Sequence, residues 1–109
     1  MNYILLHNLE NNVKEKLIKK YRNDGYQIIY KDLNNVIIKK GNIKLLDEEK
    51  YIKITLSILK RSSLIKQSKG KIIDLTKVFE YAQEKGKYSM FHNKFDWYVR
   101  NLIMKELIN

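Results

Sequence analysis

Asn93, Trp97, Arg100 and Asn101 recur at steps of three and four near the end of this 109-residue chain. That spacing groups them on one side of an α-helix. Asn and Arg side chains bond bidentately to adenine and guanine edges in the duplex major groove. Ahead of them lie Lys60, Arg61, Lys66, Lys69 and Lys71, within a stretch from Lys50 to Lys71 that holds seven basic residues and no acid. Clustered cations grip phosphates and fix register without reading sequence. The two sets together predict duplex-DNA binding in a regulatory role. The cations would hold phosphates, and the four helix residues would face the groove. A solvated connector and a solvated helix face account for the same residues without any ligand.

Other chemistry is poorly supplied. His7 and His92 are the only histidines, and nothing in the spacing brings them together, so structural or solvent-facing roles are expected. Asp47-Glu48-Glu49 reads as a helix start, because carboxylates at consecutive helical positions do not converge on one ion. Asp24, Asp32 and Asp47 near strand ends leave a small metal-dependent nuclease as a second alternative. Ser68-Lys69-Gly70-Lys71 is loop-like but lacks the Gly-x-x-x-x-Gly-Lys phosphate-loop spacing. No catalytic residue, metal site or cofactor is therefore assigned. Tyr26, Tyr30 and Tyr88 stand among basic residues and can stack on unpaired bases, which keeps RNA in view behind duplex DNA. Trp97 can instead anchor a protein contact. That favours, as the first alternative, an inhibitor or adaptor encoded by a virus or other mobile element. A homodimer is a further expectation, since groove-reading helix pairs usually act as symmetric dimers.

Composition narrows the class. The chain has 22 Lys plus Arg against 12 Asp plus Glu, a formal net charge of +10, and no Cys or Pro. Without Cys there is no disulfide, thiol nucleophile or thiolate metal site. No apolar run reaches the ~18 residues of a membrane span, and Met1–Leu9 does not read as a signal peptide. A basic, soluble protein of the cell interior, with no membrane partner, is expected. All but three of the basic residues are lysine. Lys, Asn and Ile are favoured codons of AT-rich genomes, so mutational bias explains part of the excess, yet the acids did not rise to match.

The elements that must position these groups read as one α+β domain over 1–109. A strand–helix–meander layer is expected over 1–46 and a mainly helical part over 47–109, ending in a C-terminal helix bundle with a helix-turn-helix-like pair. Tyr3–Leu6 predicts a buried strand. Asn11 or Asn12 then caps a helix with Val13, Leu17, Ile18 and Tyr21 inward, Lys14, Lys16, Lys19, Lys20 and Arg22 elsewhere, and Gly25 as its left-handed terminator. Tyr26–Lys31 and Val36–Lys40 around Asp32–Asn35 predict a hairpin, with Ile28 and Tyr30 on one side and Ile29 on the other. Ile43–Leu46 adds a third meander strand. Tyr51–Lys60 alternates like a strand, but the acids before it and the Tyr51, Ile54, Ile58, Ile65 stripe favour a helix. Asp74 caps a helix burying Leu75, Val78, Phe79 and Ala82 and stopping at Gly86. Ser89 starts the last helix, with Phe91, Phe95, Tyr98 and Leu102 inward.

Overall fold

A computed structural model describes residues 2–41, 48–61 and 70–86, with Asn101, Met104 and Lys105. The elements run β1 (Tyr3–His7), α1 (Asn11–Asn23), β2 (Tyr26–Lys31), β3 (Asn35–Lys40), α2 (Glu48–Arg61), β4 (Lys71–Asp74) and α3 (Leu75–Gly86). They fall into two compact units, one of residues 1–43 with 69–76, the other of residues 44–68 with 77–109.

The first unit is built on a four-stranded sheet of order β2-β3-β1-β4, with every neighbouring pair antiparallel. Since β1 and β2 both oppose β3, they run parallel to each other, and α1 is the crossover between them. Its apolar side covers one face of the sheet. Ile18 packs with Ile4 and Leu6 of β1, Val36 and Ile38 of β3 and Tyr26 of β2, bordered by Leu9, Leu17, Tyr21 and Ile28. The alternate residues Tyr3, Leu5, Ile37 and Ile73 are equally buried. β1 is thus enclosed on both faces and both edges, which explains its unbroken apolar run.

This architecture overturns the expected C-terminal helix bundle with its helix-turn-helix-like pair. The residues just before α3 do not lead into a bundle but form β4, which pairs with β1 through Ile4–Asp74, Leu5–Ile73, Leu6–Ile72 and His7–Lys71. Four residues carrying two isoleucines give no strand signal alone; a paired edge of β1 supplies it. Thr76 then pins the start of α3, its Oγ1 accepting from the Asn2 and Tyr3 amides at 2.9 and 2.7 Å. Asp74 caps α3 as expected, its Oδ1 accepting from the Thr76 amide at 3.0 Å. The expected strand Ile43–Leu46 and the expected start of the last helix at Ser89 lie outside the described residues.

Local departures also have causes. α1 begins at Asn11 with Glu10 at its N-cap and no side-chain cap bond, so neither Asn11 nor Asn12 caps it. Val13 is 45% exposed, while Lys14, expected outside, is buried. Its apolar stem fits inward because the Nζ can donate to the Leu33 carbonyl, 3.4 Å away. Ile28 and Tyr30 do not share a face. β2 carries one extra residue, so Ile28 opposes Ile38 and Tyr30 opposes the adjacent Ile37. Gly25 does end α1, at φ 95°.

In the second unit α2 is helical throughout Glu48–Arg61. Glu48, Tyr51, Thr55 and Leu59 are buried on it and Ile54 is partly buried, while the side chain of Ile58 and all of Ile65, the rest of the expected stripe, lie outside the described residues. Thr55 fits there because its hydroxyl donates to the Tyr51 carbonyl at 2.8 Å. The Tyr51 ring stacks on Phe79 of α3, with centroids 5.1 Å apart.

Gly70 seats the start of β4, and a Cβ there would meet the Asn8 carbonyl oxygen at 2.8 Å and Leu9 at 2.9 Å. Gly70→Ala should therefore cost about 1–3 kcal/mol through overpacking against backbone. A urea titration checks this; a midpoint equal to wild type would mean that β4 does not dock there.

Candidate nucleic-acid interface

The residues singled out from sequence do not assemble into one described site. Lys60 is exposed near the C-terminal end of α2 in the second unit. Lys71 opens β4 in the first unit, opposite His7. The Arg61 side chain and Lys66, Lys69, Asn93, Trp97 and Arg100 lie outside the described residues. Asn101 is helical and exposed. His92, Asp47 and Tyr88 also lie outside.

A different group of cations is well placed. Lys16, Lys19, Lys20 and Arg22 are all exposed on α1. At about 100° per residue they occupy an arc of about 160° centred opposite Tyr21, with Asn23 inside it. Leu17 and Tyr21 on the opposite side, with Ile18 at the arc's edge, pack against the sheet core. Among the described residues, no carboxylate pairs with any of these four cations. One acid, Glu15, shares the arc, and with Lys16, Ile18, Lys19, Arg22 and Asn23 it borders a shallow open hollow along the helix. Lys20 and Arg22 lie in the last turn, where they also favour the negative end of the helix dipole. The signal was present in the chain, since lysines at i, i+3 and i+4 on an amphipathic helix make a stripe. By charge alone the longer acid-free run at Lys50–Lys71 is the stronger signal.

The hairpin turn beside α1 is tightly organised. Asp32 Oδ1 accepts from the Asn34 and Asn35 amides at 2.8 and 2.7 Å. The Tyr30 hydroxyl donates to Asp32 Oδ2, and the Asp32 amide donates to the Asn35 carbonyl at 2.8 Å. Burial alone would raise the Asp32 carboxyl, but the Tyr30 hydroxyl and the two amides outweigh it and hold the group below its ordinary range. The Tyr30 hydroxyl is in turn held above its ordinary value, first by the bond to Asp32, then by burial and the carboxylate charge. The Asn8 amide donates to the Asn34 carbonyl at 2.7 Å, tying the turn to the β1–α1 corner.

These contacts settle several other expectations. Tyr30 is committed to the turn, and Tyr26 is buried against Tyr21 at a centroid distance of 5.1 Å. The buried Tyr26 ring is not presented for base stacking. His7 is buried, its Nδ1 in a hydrogen bond with the Asn35 side chain at 2.7 Å. Asp24 and Asp32 bracket the six residues of β2, which separates them by roughly 20 Å. They cannot share an ion. Among the described residues, no three His, Asp or Glu side chains gather as metal ligands, and no helix is long and apolar enough to cross a membrane.

No protein-family model matches the chain, and neither the curated proteins nor the solved structures contain a match to it.

The depressed Asp32 carboxyl stabilises the fold above its unfolded value, near pH 4, and that contribution fades as pH falls through the lower folded value. Asp32→Ala should cost about 1–3 kcal/mol at pH 7. Denaturation at pH 7 and pH 3 checks the sign: the gap to wild type must narrow in acid.

Proposed function

We propose that this protein binds nucleic acid, duplex DNA before RNA, through the outward side of α1. The observation that carries this reading is the stripe of Lys16, Lys19, Lys20 and Arg22, exposed, without acidic partners among the described residues, and backed by a packed sheet. An ordered helix holds its cations at fixed intervals. Lys16 and Lys20 are about 6 Å apart along the axis. A polyanion with one negative charge per ~1.7 Å of duplex axis can satisfy several of them together. The net charge of +10 adds long-range attraction and speeds encounter.

The chemistry available is phosphate contact, which confers affinity and register. Base reading requires side chains that enter a groove, and the exposed Asn12 and Asn23, near the two ends of α1, fall within the same basic arc. A regulatory role follows if sequence preference exists; a general coating role follows if it does not. The protein-binding alternative rests on Trp97 and has no further support among the described residues.

Anisotropy titrations with a duplex, a single strand and an RNA across a salt series test the proposal. Wild type should bind the duplex at low salt, and the slope of log K on log salt should be steep. Replacing Lys16, Lys19 and Lys20 together by Ala should weaken binding to all sequences alike and flatten that slope by about 2–3 units. Unchanged binding by the triple variant, or no binding by wild type near 50 mM salt, overturns it.

A further inference from the structure

We infer that α1 lies lengthwise in the major groove of the duplex, with the Asn12 and Asn23 carboxamides reading adenines on its floor, which rests on the reading just proposed. Exposed asparagines are ordinary and by type alone mean little. Their placement is what counts here. At about 100° per residue Asn12 falls on the midline of the basic arc, with Asn23 and Lys19 about 20° to either side of it. Lys20 and Arg22 stand at the two margins, about 80° from that line in opposite directions. All five residues are exposed. Glu15, the one acid on the arc, lies toward the Arg22 margin and off the midline. Neither asparagine serves the fold. α1 starts without a side-chain cap bond, and among the described residues neither carboxamide has a hydrogen-bonding partner.

An α-helix with its side chains is about 10–12 Å across, and the major groove of B-DNA, about 12 Å wide, admits one. The minor groove, about 6 Å wide, does not, and the deep, narrow major groove of an RNA duplex excludes it too. A helix seated in the groove turns its midline to the base edges and its margins to the phosphates of the two strands. The order around α1 matches that demand, with one cation at each margin and carboxamides between them. Asn bonds adenine bidentately, its NH2 donating to N7 and its carbonyl accepting from N6. Lys19, beside the midline, suits guanine O6 and N7. Laid across the outside of the backbone instead, α1 would set its carboxamides against phosphate and turn both margin cations aside. Asn12 and Asn23 are about 16 Å apart along the helix axis. The adenines they read therefore lie within about five base pairs of each other.

The test is selection from a randomised duplex pool, followed by anisotropy on the selected sequence. Wild type should enrich duplexes carrying two adenines within about five base pairs. Replacing those adenines by 7-deazaadenine removes the N7 acceptor and keeps the base pair, and should weaken wild-type binding about tenfold. Asn12→Ala and Asn23→Ala should fold normally by circular dichroism and bind an unrelated duplex as wild type does. Each should lose about tenfold in preference for the selected duplex and keep the wild-type salt slope. Binding by wild type with no enriched sequence, or binding unmoved by 7-deazaadenine, overturns the groove placement and leaves the α1 reading intact. Full preference in both asparagine variants also overturns it. Failure of wild type to bind any duplex removes both.

Discussion

A central strand in a sheet must satisfy its backbone donors and acceptors on both edges, and in this protein β1 meets that demand with segments far apart in the chain. β3 pairs one edge from about thirty residues away, and β4 pairs the other from about seventy. All five β1 residues are buried, so any hydrogen-bonding group left unmatched there would be costly. The remaining features of the first unit follow from this closure. α1 needs a sheet face to cover, Asn8 and Gly70 must pass within van der Waals limits at the corner, and Thr76 bonds the β1 amides where the ladder ends.

The same closure explains why the basic side of α1 is a rigid object. Helices with this many lysines have little reason to form alone, because like charges at i and i+4, such as Lys16 and Lys20, oppose each other. Packing of Ile18, Leu17 and Tyr21 against β1, β2 and β3 offsets that repulsion. The cations are consequently displayed in fixed positions, at some cost to the isolated helix. A charge stripe whose repulsion is borne by the core is an economical way to present a polyanion with several simultaneous contacts.

The turn at Asp32–Asn35 links structure to the site by a second route. One carboxylate organises it, and Lys14 and Asn8 fasten it to the elements on either side. Lys14 is the instructive residue. Residue type assigns it to the outer surface with the other lysines, yet helical spacing sets it beside Leu17, Ile18 and Tyr21, and it is buried there with a backbone carbonyl in reach of its ammonium. A charged type on an inward position is readable only once the partner is known.

Much of the local structure was legible from residue types. The unbroken apolar run of β1, the α1 periodicity with Gly25 behind it, the β2–β3 hairpin and the Asp74 cap all rest on short-range chemistry that the residues carry with them. The sequence alone also determined the cationic excess and the stripe on α1. Tertiary structure decided the rest. β4 exists because β1 had an open edge, and Ile28 and Tyr30 part company because a bulge inserts one residue. Each depends on contacts between distant segments, and such contacts leave no periodic trace in either partner.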